Sequence, residues 1–168
     1  MGGSILGTKA IYDFLNYKIG KKFTFINNLN SNIKKTSKNN LNIIISKSGN
    51  TLETISNSNV ILGKNSKNLF ITEDSQNYLM KLAYKLKSEI IEHRNYIGGR
   101  YSVLSEVGMV PAELMGLDIK KFKRLNYLIN NKKFMHNIIQ NVSAILLFAK
   151  RKKNLSVILN YDCLLYTS

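Results

Sequence analysis

Cysteine, proline and tryptophan are almost missing from this chain: one, one and none in 168 residues. A single cysteine, Cys163, closes no internal disulfide, so the fold rests on its core, as suits a reducing compartment. Histidine is scarce too, with His93 and His136 alone. No Cys/His cluster has metal-site spacing, so no metal is expected. No apolar run reaches the roughly 20 residues that a membrane-spanning helix needs. Met1 is followed by GGSILGTKAIYDFL, which lacks the basic and apolar regions of a signal peptide. The chain therefore reads as cytoplasmic, with no membrane partner. Acidic residues are few, 10 against 25 Lys and Arg, for a net charge of +15. Such an excess suits a phosphate backbone when it is clustered. Here the basic pairs Lys21–Lys22, Lys34–Lys35, Lys120–Lys121 and Lys132–Lys133 lie apart. Only KRKK (Lys150–Lys153) is dense, and no aromatic side chains interleave with it as a stacking platform requires. Nucleic acid is not an expected partner.

What is present is apolar and regularly divided. At 44% apolar residues the chain can bury a core. Short runs apolar on both sides, FTFI (Phe23–Ile26), NIII (Asn42–Ile45), NLFIT (Asn68–Thr72), EIIE (Glu89–Glu92) and LSVILNY (Leu155–Tyr161), read as strands. Helix-length segments separate them: Thr8–Tyr17, Leu52–Leu62, Gln76–Lys87 and a broken Asp118–Ala149. The polar stretch Asn27–Asn40 reads as a surface connection with a short helix. Pro111, after VGMV, is expected to open a new helical turn. Continuous apolar strands are covered on both faces. The expected fold is α/β, a three-layer αβα arrangement with a mainly parallel, doubly wound sheet.

The stretch IIISKSGNTLETI (Ile43–Ile55) carries the chemistry. In a parallel sheet, ligands sit beyond the carboxyl ends of the strands. A helix start there offers unpaired N–H groups and partial positive charge. Gly49 allows a close backbone approach or a positive φ. Ser46, Ser48 and Thr51 add hydroxyls and Asn50 an amide, so a phosphate monoester suits the turn. A plainer alternative makes Asn50 the helix cap and Glu53 its capping-box partner. It leaves the three hydroxyls unexplained.

SKSGNTLET resembles the phosphate loop of sugar isomerase (SIS) domains, and IGGRYSVLSEVGMVPAELMGLD (Ile97–Asp118) resembles the signature of the glucose-6-phosphate isomerase family. GGSILGTKAIY (Gly2–Tyr12) resembles that family's first Gly-Gly-Ser loop, and the three stand in the family's order. The resemblance implies an SIS-type fold over 1–162 and interconversion of glucose 6-phosphate and fructose 6-phosphate through a cis-enediolate, without metal or cofactor. It implies that Ser46, Ser48 and Thr51 hold the phosphate with the backbone from Lys47 through Gly49 and Asn50. Gly3 and Ser4 would line the site from the first loop, with Gly99 and Arg100 at the reacting carbons and Arg100 catalytic. It also implies a homodimer for the full-length protein.

The ends read as those of a fragment. The chain stops before the family's glutamate base, ring-opening histidine and late lysine, so activity of the chain alone is not expected. The closing LLYTS resembles translated sequencing adapter, and residues 163–168 are not expected to be native. His93 is expected as a surface or loop residue, His136 as solvated, and Glu106 as a structural helix carboxylate. A non-catalytic phosphosugar sensor is the main alternative. The Gly-Gly-Arg run disfavours it, because a sensor has no need of an arginine at the carbonyl end.

Overall fold

The computed structural model describes residues 3–29, 39–63, 66–122, 124, 126–151 and 153. They group into two units, one ending at Leu117 and the other beginning at Asp118.

The first unit is α/β. Strands β1 (Leu41–Ile45), β2 (Lys67–Thr72) and β3 (Glu89–Glu92) form a parallel sheet in the order β1-β2-β3. Ile44 is in register with Phe70, and Phe70 with Ile90. Helices α2 (Leu52–Ile61) and α3 (Tyr78–Lys85) make the crossovers that parallel pairing requires. β2 is central, and Leu69, Phe70, Ile71 and Thr72 are all buried, which explains its unbroken apolar run. Ile44 and Phe70 join Leu79 and Ala83 of α3 in the core, with Leu62, Leu82, Leu86 and Ile90 around them.

Helix α1 (Gly3–Leu15), the 3-10 turn Gly99–Leu104 and helix α4 (Glu106–Leu114) pack on one another. Val103 fills the seat between Gly7 and Gly108, where a Cβ on either glycine would collide with it. Pro111 does not open a turn. It lies inside α4 and removes the N–H that would bond the Val107 carbonyl. The buried Thr8 hydroxyl of α1 donates to that carbonyl instead, at 3.2 Å. Lys21 Nζ donates to Leu114 O at 3.1 Å, placing a cation at the carboxyl end of α4.

The expected strand Phe23–Ile26 is not laddered to any described strand. Phe23 and Phe25 turn to the same side, onto the Tyr12 ring at 5.8 and 5.4 Å between centroids. The alternation of an extended chain is there, but it serves a side-chain contact. Asn57 Nδ2 of α2 donates to Asn28 O at 3.2 Å, holding the end of this segment. Leu155–Tyr161 and most of Asn27–Asn40 lie outside the described residues. So do residues 163–168.

The second unit is helical: α5 (Ile119–Phe122), α6 (Asn126–Asn130) and α7 (Lys132–Lys150). This is the expected broken helix. Asn131 interrupts it, its side chain accepting from Phe134 N at 3.0 Å as the cap of α7. Among the described residues no helix is long and apolar enough to cross a membrane.

Candidate functional site

Three backbone bonds carry the sheet pattern past the strand ends. Ser46 N donates to Ile71 O at 3.1 Å, Glu73 N to Lys47 O at 3.1 Å and His93 N to Thr72 O at 2.8 Å. The loops after β1, β2 and β3 are thereby held side by side on one edge, where ligands of parallel sheets bind.

The loop after β1 is pinned from several sides. Gly49 has φ +64° and its N–H donates to Ser46 O at 3.2 Å, closing a tight turn. A Cβ at Gly49 would fall on the amide of Asn77. Ser46 is buried, and its hydroxyl pairs with the Thr51 hydroxyl at 2.9 Å. Thr72 Oγ1 donates to Lys47 O at 3.3 Å. Helix α2 then starts at Leu52 with Thr51 as its cap residue, yet the Thr51 side chain makes no cap bond to its first N–H groups. Among the described residues no side chain accepts from those N–H groups, and their partial positive charge is an arrangement suited to an anion.

The alternative reading, an Asn50–Glu53 capping box, is not formed. The cap falls one residue later, and Asn50 Oδ1 accepts from Tyr78 N at 3.0 Å, tying the loop to the start of α3. Lys47 Nζ reaches the other way. It lies 3.3 Å from Glu73 Oε1 and donates to Asn95 O at 2.7 Å. Its charge is thus shared with the two neighbouring loops.

An open groove of about 1400 Å³ runs along β1 and this loop. Ser4, Ser46, Lys47, Ser48, Thr51 and Gly99 all line it, bringing together the three sequence motifs. The profile of the phosphoglucose isomerase family matches residues 1–151. The chain belongs to the phosphoglucose isomerase family. It is 35% identical to the glucose-6-phosphate isomerase of Methanocaldococcus jannaschii, over 96% of this chain and 44% of that protein. It is 29% identical to that of Mycoplasma genitalium, over 98% of this chain and 43% of that one. The chain therefore spans less than half the length of these curated relatives. Among solved structures, hypothetical protein TT0462 from Thermus thermophilus superposes with a TM-score of 0.62 at 25% identity. That match covers 71% of this chain and 32% of the Thermus chain.

The phosphoglucose isomerase motifs fall on the structure unevenly. Gly3 and Ser4, expected in a loop, form the first turn of α1, which begins five residues before the expected helix start at Thr8. Ser48 is exposed, and its hydroxyl accepts from Asn50 N at 3.3 Å. Gly49 and Asn50 shape the turn and do not line the groove. Arg100 lies exposed in the Gly99–Leu104 turn, and among the described residues it makes no ion pair. Glu106, six residues on, pairs with His93.

His93 lies in the loop after β3, as expected, but it is no surface residue: it is 1% exposed, with Glu106 of α4 against it. Its Nδ1 pairs with Glu106 Oε1, and its buried Nε2 has no partner among the described residues. Glu106 Oε1 also accepts from Arg94 N at 3.3 Å. Burial pushes the Glu106 carboxyl up, but the His93 bond, the N–H groups of Glu106 and Arg94 and the His93 charge outweigh it, leaving it below the usual range. One signal in the sequence pointed to His93: it directly follows a strand end in a parallel sheet. His136 is exposed, as expected.

Proposed function

We propose that this chain is the phosphosugar-binding part, over 1–162, of a glucose-6-phosphate isomerase that interconverts glucose 6-phosphate and fructose 6-phosphate in the cytoplasm. The observation that carries the reading is the pinned Ser46–Thr51 turn, which opens an uncapped helix start into the groove shared with Ser4 and Gly99. The phosphate lies across the N–H groups at the start of α2 and the hydroxyls of Ser46, Ser48 and Thr51. Backbone N–H groups from Lys47 onward add to it, while the Lys47 side chain stays with Asn95 and Glu73. The sugar runs from the phosphate toward Gly99.

In the isomerisation a base takes the C2 proton of the open-chain aldose. The C–H electrons form the C1–C2 double bond of the enediolate as the C1=O π electrons move onto O1; a proton then returns to C1, and the O2 proton passes to O1 as C2=O forms. Negative charge grows on the substrate oxygens as the first proton leaves. Arg100 swings over this end and stabilises the charge more in the transition state than in the ground state. The sugar phosphate is the only partner the reading requires at this site, and the full-length protein acts as a homodimer.

Two variants of the full-length product test it. Ser48→Ala with Thr51→Ala removes two bonds to a charged group, each worth about 1.5–3 kcal/mol, and should weaken sugar-phosphate binding at least about tenfold. Arg100→Ala should lower kcat by about a hundredfold with KM little changed. Its melting temperature should hold, because the side chain is exposed and makes no described ion pair. An unaltered dissociation constant in the first variant removes the phosphate loop from the reading. A near-normal kcat in the second removes Arg100.

A further inference from the structure

The loop between β3 and α4, Arg94–Ser105, carries Gly99 and Arg100, and it is tied at both ends. At its start, His93 is fixed to the sheet by its N–H bond to Thr72 O at 2.8 Å. At its end, Ser105 caps α4, its hydroxyl accepting from Val107 N at 3.3 Å. One carboxylate joins the two ends: Glu106 Oε1 pairs with His93 Nδ1 and accepts from Arg94 N at 3.3 Å. A second tie comes from the phosphate loop, where Lys47 Nζ holds Asn95 O at 2.7 Å. Beyond Asn95 the loop is stiffened from within. Tyr101 N donates to Gly98 O at 2.9 Å, and Ser102 Oγ donates to Gly99 O at 2.7 Å.

The pair is poorly explained as packing. His93 is fully enclosed, yet its Nε2 is left without a partner among the described residues. An apolar side chain would fill that space and leave no polar atom unpaired. What an apolar side chain lacks is direction. A hydrogen bond from Nδ1 to a carboxylate at the first residue of α4 fixes how far the end of β3 stands from the start of that helix.

We propose that the His93–Glu106 pair is a positioning device. It sets the Arg94–Ser105 loop, and through it Gly99 and Arg100, against the phosphate loop. The proposal rests on the reading of the groove as a phosphosugar site, and it goes further by assigning two residues that touch no substrate. The pair acts only on the sugar end of the site. The phosphate end is held by β1, α2 and Asn77, and among the described residues neither side chain of the pair hydrogen-bonds any of these.

Two ligands separate the ends. Inorganic phosphate reads the Ser46–Thr51 loop alone, and glucose 6-phosphate reads both. With the 168-residue chain and calorimetry, Glu106→Ala and His93→Leu should each leave the phosphate Kd within about twofold and weaken the glucose 6-phosphate Kd by about tenfold. Glu106→Gln keeps an oxygen for Arg94 N and His93 Nδ1, so it should stay within about threefold of wild type for both ligands. It also serves if the harsher variants do not fold. In the full-length product, Arg100→Ala should lower kcat much less on the Glu106→Ala background than on wild type, because the arginine is already out of place. Equal weakening of both ligands, or additive losses in kcat, overturns the positioning role in favour of a merely structural one. Variants that bind both ligands as wild type does overturn it alone. A wild-type chain that binds neither ligand overturns the phosphosugar reading and this proposal with it.

Discussion

Gly49→Ala is the sharpest single perturbation of the loop. Two costs are combined at that position. The residue sits at φ +64°, where an alanine is strained by roughly 1–2 kcal/mol. The new methyl also falls on the amide of Asn77, a residue that is 2% exposed and bonded on every side. Its Oδ1 accepts from Met80 N at 2.9 Å as the cap of α3. Its Nδ2 donates to Thr72 Oγ1 at 3.1 Å, Glu73 O at 3.2 Å and Ser75 Oγ at 3.1 Å. Displacing the amide forfeits the cap, about 1 kcal/mol, and one or two buried bonds of about 1 kcal/mol each, since its two N–H protons are shared among those three acceptors. The sum is about 3–5 kcal/mol, a large part of the roughly 5–15 kcal/mol that holds a domain together. Equilibrium unfolding in urea measures it. Asn77→Ala alone should cost about 2–3 kcal/mol, and the double variant should fall short of the sum by about 1 kcal/mol or more, since the clash is gone once the amide is. A Gly49→Ala chain within about 0.5 kcal/mol of wild type would refute the claim that this turn is held by steric fit.

Other outcomes follow from the same contacts. Thr8→Val strands the Val107 carbonyl and should cost about 1–3 kcal/mol by urea unfolding. On a Pro111→Ala background, where residue 111 regains its N–H, that cost should drop below about 1 kcal/mol. Glu106 titrates below its ordinary value of 4.5 in the folded chain, so its contribution is present above that pH and is lost as pH falls through the folded value. The stability difference between wild type and Glu106→Gln, followed by unfolding from neutral pH down to about pH 3, should be largest above pH 4.5 and shrink below it.

The three strands that pair were readable to within a residue, because each is an apolar run bounded by polar turns and each finds a neighbour one crossover away. Phe23–Ile26 has the same local character, yet its outcome was set by Tyr12 on α1, which takes both phenylalanines. Local pattern reports extension and does not report pairing. The start of α1 was misplaced because glycine and serine at positions 3 and 4 look like loop, whereas the helix as a whole is supported by packing on α4 and the Gly99–Leu104 turn. The Ser46–Thr51 turn between strand and helix was legible from its composition, but the division of labour within it was not. That Asn50 serves α3, and that Lys47 bridges to Asn95, depends on loops brought alongside by the sheet. The burial of His93 is of the same kind: it depends on where Glu106 begins α4, beyond the reach of any local pattern.

The central claim, that the Ser46–Thr51 turn and the start of α2 grip the phosphate of a sugar phosphate, is tested most directly by amide chemical-shift mapping. The ¹⁵N-labelled chain is titrated with glucose 6-phosphate and, separately, with glucose. The account predicts saturable shifts centred on the amides of Lys47–Thr54, with Gly99 following, and no response of the loop to glucose. Amides in that stretch that stay still at saturating glucose 6-phosphate, or that move equally with glucose, would contradict it.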